Sequence, residues 1–180
     1  MCRRIVCLLA LVLVLSLDGL VQARLTKDPS IVLYYSFDAF SDLVIDQSPN
    51  GRDGMISGDV VADPEGISKG SARFADGGFI DLDGPSFAPQ DVPITGMTIA
   101  AWAKCENTGG DHAIFNARAS DSTWLIHPEL RSSGQFRWLL RAAGGTTIFD
   151  IRAGEVTWDE WLHYAGLYDK ESAMASLYIN

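Results

Sequence analysis

The sequence predicts an all-β chain, a two-sheet antiparallel sandwich, and three observations carry that expectation. Past residue 23 no stretch sustains a helical period, and short runs rich in Val, Ile, Tyr, Phe and Trp recur instead. Clusters of Gly, Pro, Asn, Asp and Ser separate nearly all of these runs. Once the first 23 residues are set aside only Cys105 remains, so no internal disulfide can form and core packing has to hold the chain together.

Those first 23 residues read as a cleaved signal peptide. Arg3 and Arg4 precede an apolar run over residues 5–17, Asp18 and Gly19 break it, and Val21-Gln22-Ala23 supplies the small residues of a cleavage site. The run is too short for the roughly 20 residues a membrane-crossing helix needs. The expected localisation is therefore secreted or extracellular, at the cell surface or in a periplasm, with no membrane insertion after cleavage. Losing Arg3, Arg4 and Asp18 from 14 Lys+Arg and 23 Asp+Glu leaves 12 against 22, a net charge of −10. Such an acidic chain is a poor partner for nucleic acid or anionic lipid, both of which call for clustered Lys and Arg. It is compatible with calcium and with neutral sugars.

The elements follow in order. Residues 31–37 read as a first strand, and residues 43–46 as a short second one closed by the turn signal of residues 47–51. There Asn50-Gly51 makes a tight turn and Asp46 bonds to its own backbone. Residues 55–57, 71–74 and 79–82 are brief strands. Residues 97–104 alternate with apolar side chains on both faces, which predicts a central strand. Residues 112–118, 122–127, 135–141 and 146–152 continue as an antiparallel series, and residues 161–168 and 174–179 are the last two. No linker divides the chain, so one domain is expected over residues 24–180. The closing residues 176–180 form a strand heading into a turn, which suggests a domain incomplete at its C-terminus. A fragment of this kind is expected to aggregate through its open edges.

Four segments together resemble laminin G-like domains of the concanavalin A-like lectin/glucanase superfamily, in the branch nearest the pentraxins. They are residues 33–38 with 46–54, residues 70–74 with 78–82, residues 96–104, and residues 161–169. The last two are similar to the family's Phe-Thr-Ile-x-x-Trp-Val-Lys and Trp-x-His-x-Ala-x-x-Tyr-Asp. The resemblance implies a two-sheet jelly-roll sandwich whose C-terminal strands are truncated here, with Trp102 and Trp161 in the core.

Three functions are compatible with that fold: a recognition or adhesion module for glycans or glycoproteins, a structural spacer in a larger surface protein, and a glycan-active enzyme. The resemblance implies that an enzyme of this fold would carry Glu-x-Asp-x-x-Glu on one strand, as in the related glucanases. Alternation would point both glutamates into a cleft as nucleophile and acid/base. Residues 155–160 (EVTWDE) are the nearest text, with the wrong spacing and the look of a turn, so a non-catalytic protein is expected. Calcium is the one cofactor suggested. Residues 113–126 resemble the pentraxin hairpin whose loop offers an Asp-Asn pair, and here only Asp121 matches, Ser122 replacing the asparagine. Asp38, Asp46, Asn50 and Asp53 form a second oxygen-rich group, weighed against the plain turn. For sugars, Trp124, His127, Trp138 and Arg141 lie on adjacent predicted strands and combine aromatic faces with planar hydrogen-bonding groups. Alternation puts Trp124 with Ile126 and Trp138 with Leu140, which leaves these tryptophans readable as core as well.

Overall fold

A computed structural model describes residues 26–82, 91–120 and 123–180, the side chains of residues 119, 120, 123 and 124 excepted. Every regular element among them is a β-strand, every strand pairing is antiparallel, and the chain has the fold class of a jelly-roll sandwich. The chain forms two compact units, Met1–Val92 and Pro93–Asn180.

In the first unit β1 (Leu43–Val44), β2 (Gly54–Asp63) and β3 (Ser71–Asp81) form one sheet in that order. The two brief strands expected over residues 71–82 are one long strand. A bulge between Ser57 and Asp59 lets it run on. Glycine is required there: Gly58 has φ +72°, and a Cβ on Gly78 would lie 2.3 Å from the Asp59 carbonyl oxygen.

Residues 31–37 are not a strand. They form no ladder, Val32 lies at a bend, and Phe37 has φ 59°. Side chains take the place of a neighbouring strand. Asn50 Nδ2 donates to the carbonyls of Ile31 (2.7 Å) and Val32 (3.3 Å), and Arg52 Nη1 also donates to Val32 (2.8 Å). The Tyr34 amide donates to Asp46 Oδ1, and the Tyr34 carbonyl accepts from the Gln47 amide. The backbone demand that periodicity assigned to a ladder is met by the turn itself.

The second unit has two sheets. One is β11 (Met174–Ile179), β10 (Leu162–Asp169) and β4 (Gly96–Ala103); the other runs β5 (His112–Ala113), β7 (Thr123–Leu130), β8 (Phe136–Arg141) and β9 (Thr147–Ala153), with β6 (Ala117–Ser120) also on β7. The expected central strand, β4, lies at one end of its sheet. Its Thr98, Ala100 and Trp102 face is exposed, with Trp102 50 % accessible, so Trp102 is not a core residue. It meets the His163 ring across the strand pair, centroids 5.0 Å apart.

The core of this unit lies between its two sheets. Phe136, Trp138 and Leu140 from β8 join Ile126 and Leu130 from β7 and face Leu162 and Tyr164 of β10. Trp138 is fully buried, stacks near Phe149 (5.4 Å) and donates its indole N–H to the Leu167 carbonyl at 2.9 Å. The Tyr164 hydroxyl donates to the Arg137 carbonyl at 3.0 Å, so both polar tips in this core are paired.

Strand β7 runs on through Pro128, past the expected end at His127. A strand residue turns its N and C=O to the same side, and the Pro128 carbonyl accepts from Ile114 N. The missing N–H therefore faces the irregular residues 114–116 between β5 and β6, where the ladder is broken anyway. Residues 155–160 form no strand, and a turn spans residues 158–160: Asp159 has φ 64° and its amide donates to the Cys105 carbonyl at 2.9 Å. Cys105 is a half-buried free thiol whose pKa burial pushes up.

Candidate functional site

Strand alternation divides β7, β8 and β9 into an apolar face and a charged one. Ile126, Pro128 and Leu130 pair with Leu140, Trp138 and Phe136 on the core side. His127, Glu129, Arg137, Leu139, Arg141, Asp150 and Arg152 share the other. Glu129 is opposite Arg137, and Arg137 is opposite Arg152. Two guanidiniums directly across a strand pair repel unless a carboxylate bridges them. Asp150 does so. It accepts both Nε (2.7 Å) and Nη2 (2.8 Å) of Arg137 and the Nη2 of Arg152 (2.9 Å). The bonded Arg137 guanidinium, with Arg152 beside it, holds the Asp150 carboxyl far below the ordinary aspartate range.

Glu129 is the buried hub, 3 % accessible. One oxygen accepts from Arg131 Nη1 and Arg137 Nη1, each at 3.0 Å, and the other lies 2.5 Å from His127 Nε2. A carboxylate only accepts, so that imidazole carries its proton on Nε2. Burial pushes the Glu129 carboxyl up, but the bonds from His127 and Arg137 outweigh it and its pKa is lowered. At the rim Arg131 reaches Asp111 at 3.5 Å, and Asp111 accepts the amide and hydroxyl of Ser132. Arg141 Nε contacts Thr147 Oγ1 at 3.4 Å.

The expected sugar-site residues are thus divided. His127 and Arg141 share the charged face. Trp138 lies on the opposite face with no accessible surface, so it is a core residue and offers no stacking platform. The side chain of Trp124 lies outside the described residues. Sequence reasoning passed over Glu129, Arg131, Arg137, Asp150 and Arg152. The spacing of His127-x-Glu129-x-Arg131 and of Asp150-x-Arg152 was visible, since alternate residues share a strand face.

For metal, Asp121 lies outside the described residues. In the second group, the Asp46 carboxylate already accepts the amides of Tyr34, Ser48 and Arg52 and the Ser48 hydroxyl, at 2.7–2.9 Å. Asp53 accepts the Asp46 amide, and Asp38 pairs with Lys69. Hydrogens thus occupy both oxygens of Asp46, the buried member of the group. Among the described residues, no three His, Cys, Asp or Glu side chains are grouped to hold a metal.

No curated protein and no solved structure matches the chain. A laminin G family model, described as the concanavalin A-like lectin/glucanases superfamily, matches residues 77–180, more than half of the chain and all of the second unit's strands. With its antiparallel sheets, buried Trp138 and Tyr164, and the match over those same strands, the chain belongs to the concanavalin A-like lectin/glucanase superfamily.

Proposed function

We propose that this protein is a secreted, non-catalytic recognition or adhesion module that binds glycans or extracellular glycoproteins through the charged face of β7, β8 and β9. Membership of a lectin and glucanase superfamily supports carbohydrate recognition or a structural role in general. One observation carries the finer reading: the accessible Arg137–Asp150–Arg152 ladder, with Asp150 26 % and Arg152 47 % exposed at their side chains. Vicinal hydroxyls donate and accept together, and planar guanidinium and carboxylate groups meet such pairs with fixed geometry. Arg141 extends that surface on the same face, and His127, 6 % accessible, lies buried beside Glu129. A non-catalytic role is supported by residues 155–160, which form no strand and hold the only catalytic-like acidic run. Any calcium at Asp121 enters the proposal only as a weakly held assisting ion, not as a catalyst.

The test is a glycan array probed with residues 24–180, with and without calcium, alongside the Arg152→Ala and Arg141→Ala variants. Saccharide binding that both variants weaken at unchanged thermal stability is the expected result. Binding indifferent to both would move the site off this face, and no binding to any glycan or glycoprotein would favour a structural spacer.

A further inference from the structure

The turn that pins residues 31–34 contains the one Asn-Gly pair of the chain, Asn50-Gly51. Both residues are exposed. Gly51 has φ +62°, a Cβ there would meet nothing within 4 Å, and its amide N–H makes no bond among the described residues. Asn50 Oδ1 is likewise unbonded among them, so the side-chain carbonyl carbon is open to attack and to water. The bonds that Asn50 does make run through Nδ2: to Ile31 O, to Val32 O, and to Ser48 Oγ at 3.4 Å.

We propose that Asn50 is a self-modification site whose reaction releases residues 31–34 from the turn. The Gly51 amide nitrogen, losing its proton to solvent base, bonds to Asn50 Cγ. The Cγ–Nδ2 bond breaks and the nitrogen leaves as ammonia, taking up a proton from water. Water then opens the five-membered imide at either carbonyl, leaving aspartate or isoaspartate at position 50. No oxidant or reductant is involved. Only Gly gives the attacking nitrogen an unshielded approach, which is why this pair and not Asn107-Thr108 or Asn116-Ala117 is the site.

The consequence follows from what Nδ2 now holds. The product has no amide donor, and its carboxylate lies against the Ile31 and Val32 carbonyls, acceptor against acceptor. Arg52, whose Nη1 donates to the same Val32 oxygen at 2.8 Å and whose Nη2 pairs with Asp91 at 2.9 Å, is a cation beside it. Attraction between the new carboxylate and that guanidinium draws the second clamp away as well. The isoaspartate form further lengthens the turn by one backbone carbon and displaces the Arg52 amide from Asp46 Oδ2, 2.8 Å away. Because Nδ2 is clamped, the reaction proceeds from the transiently opened turn, and the closed turn sets its pace.

The experiment ages the full chain at mildly alkaline pH and follows it by peptide mapping and by isoaspartyl methyltransferase labelling. Replacement of NH by O should add about one dalton to the residue 50 peptide ahead of those of residues 107 and 116. Gly51→Ala should lose that signal. In one aged sample, modified molecules should exchange amide hydrogens of residues 31–35 faster than unmodified ones, and Asn50→Asp should reproduce the acceleration. An unmodified Asn50 after the other asparagines have reacted would overturn the proposal. Equal exchange in modified and unmodified molecules would overturn the release. The aged wild-type comparison stands even if a variant fails to fold.

Discussion

Asp46 satisfies three backbone amides and one hydroxyl with two oxygens, and Glu129 holds two arginines and a histidine. Both carboxyls have lowered pKa values because those donors outweigh the cost of burial. A carboxyl whose folded pKa is depressed contributes stability above its unfolded value, and that contribution disappears as pH falls through the lowered folded value. The protein should therefore lose stability on acidification from below the ordinary Asp and Glu range downward. Denaturant midpoints measured across acidic pH check this, and Asp46→Ala should flatten the profile. At neutral pH Asp46→Ala leaves four donors without an acceptor and should cost about 3 kcal/mol. Glu129→Gln keeps the shape but removes the charge that Arg131, Arg137 and His127 bond to, and should cost about 2 kcal/mol. Asp46 was legible in the sequence as a turn residue bonding its own backbone. Glu129 was only half legible: His127 and Arg131 alternate with it along the chain, whereas Arg137 comes from β8 and meets it only once the register is known. At Asp121 the expectation is weak calcium binding, about millimolar or absent, since one carboxylate and a serine fall short of the six to eight oxygens calcium takes. Calorimetric titration of the wild type and of Asp121→Ala decides it: micromolar binding lost in the variant would contradict the expectation.

Strand parity is the feature of the elements that sequence conveyed best. The alternation of residues 136–141 separates Phe136, Trp138 and Leu140 from Arg137, Leu139 and Arg141, and the fold keeps that division. What parity cannot convey is which face is covered and which strand is a neighbour. Hence β4 looked central, and Trp138 was readable as either core or platform. The segment at residues 31–37 shows a different limit. Its β-rich composition is genuine, but the turn bonds its carbonyls before a strand can. Packing between β8 and β10 makes a sharp prediction at Gly166. A Cβ there would lie 2.9 Å from the Tyr164 hydroxyl and 3.0 Å from the Trp138 ring. Gly166→Ala should therefore destabilise by about 1–3 kcal/mol through overpacking. Trp138→Ala should cost about 3–5 kcal/mol through the opposite fault, a cavity. Chemical denaturation of both variants tests the pair.

The whole molecule leaves large apolar side chains in solvent, among them Met55 and Phe79 on one face of the first unit's sheet and Trp102, Met174 and Tyr178 on one face in the second. Exposed apolar side chains of this size favour association. Sedimentation should show mass rising with concentration, and Trp102→Lys should reduce the rise. The overall class was legible because turn residues and strand runs alternate from end to end. The division into two compact units was not, since no change of composition marks Val92. Cys105 gives that second unit an internal stopwatch. It is the sole cysteine after residue 23, half-buried, its thiol pKa raised by burial, while its carbonyl ties down the turn at Asp159. An alkylating reagent meets a thiol that burial shields in part and keeps protonated, so any rise in its labelling rate reports local loosening of the chain around Cys105.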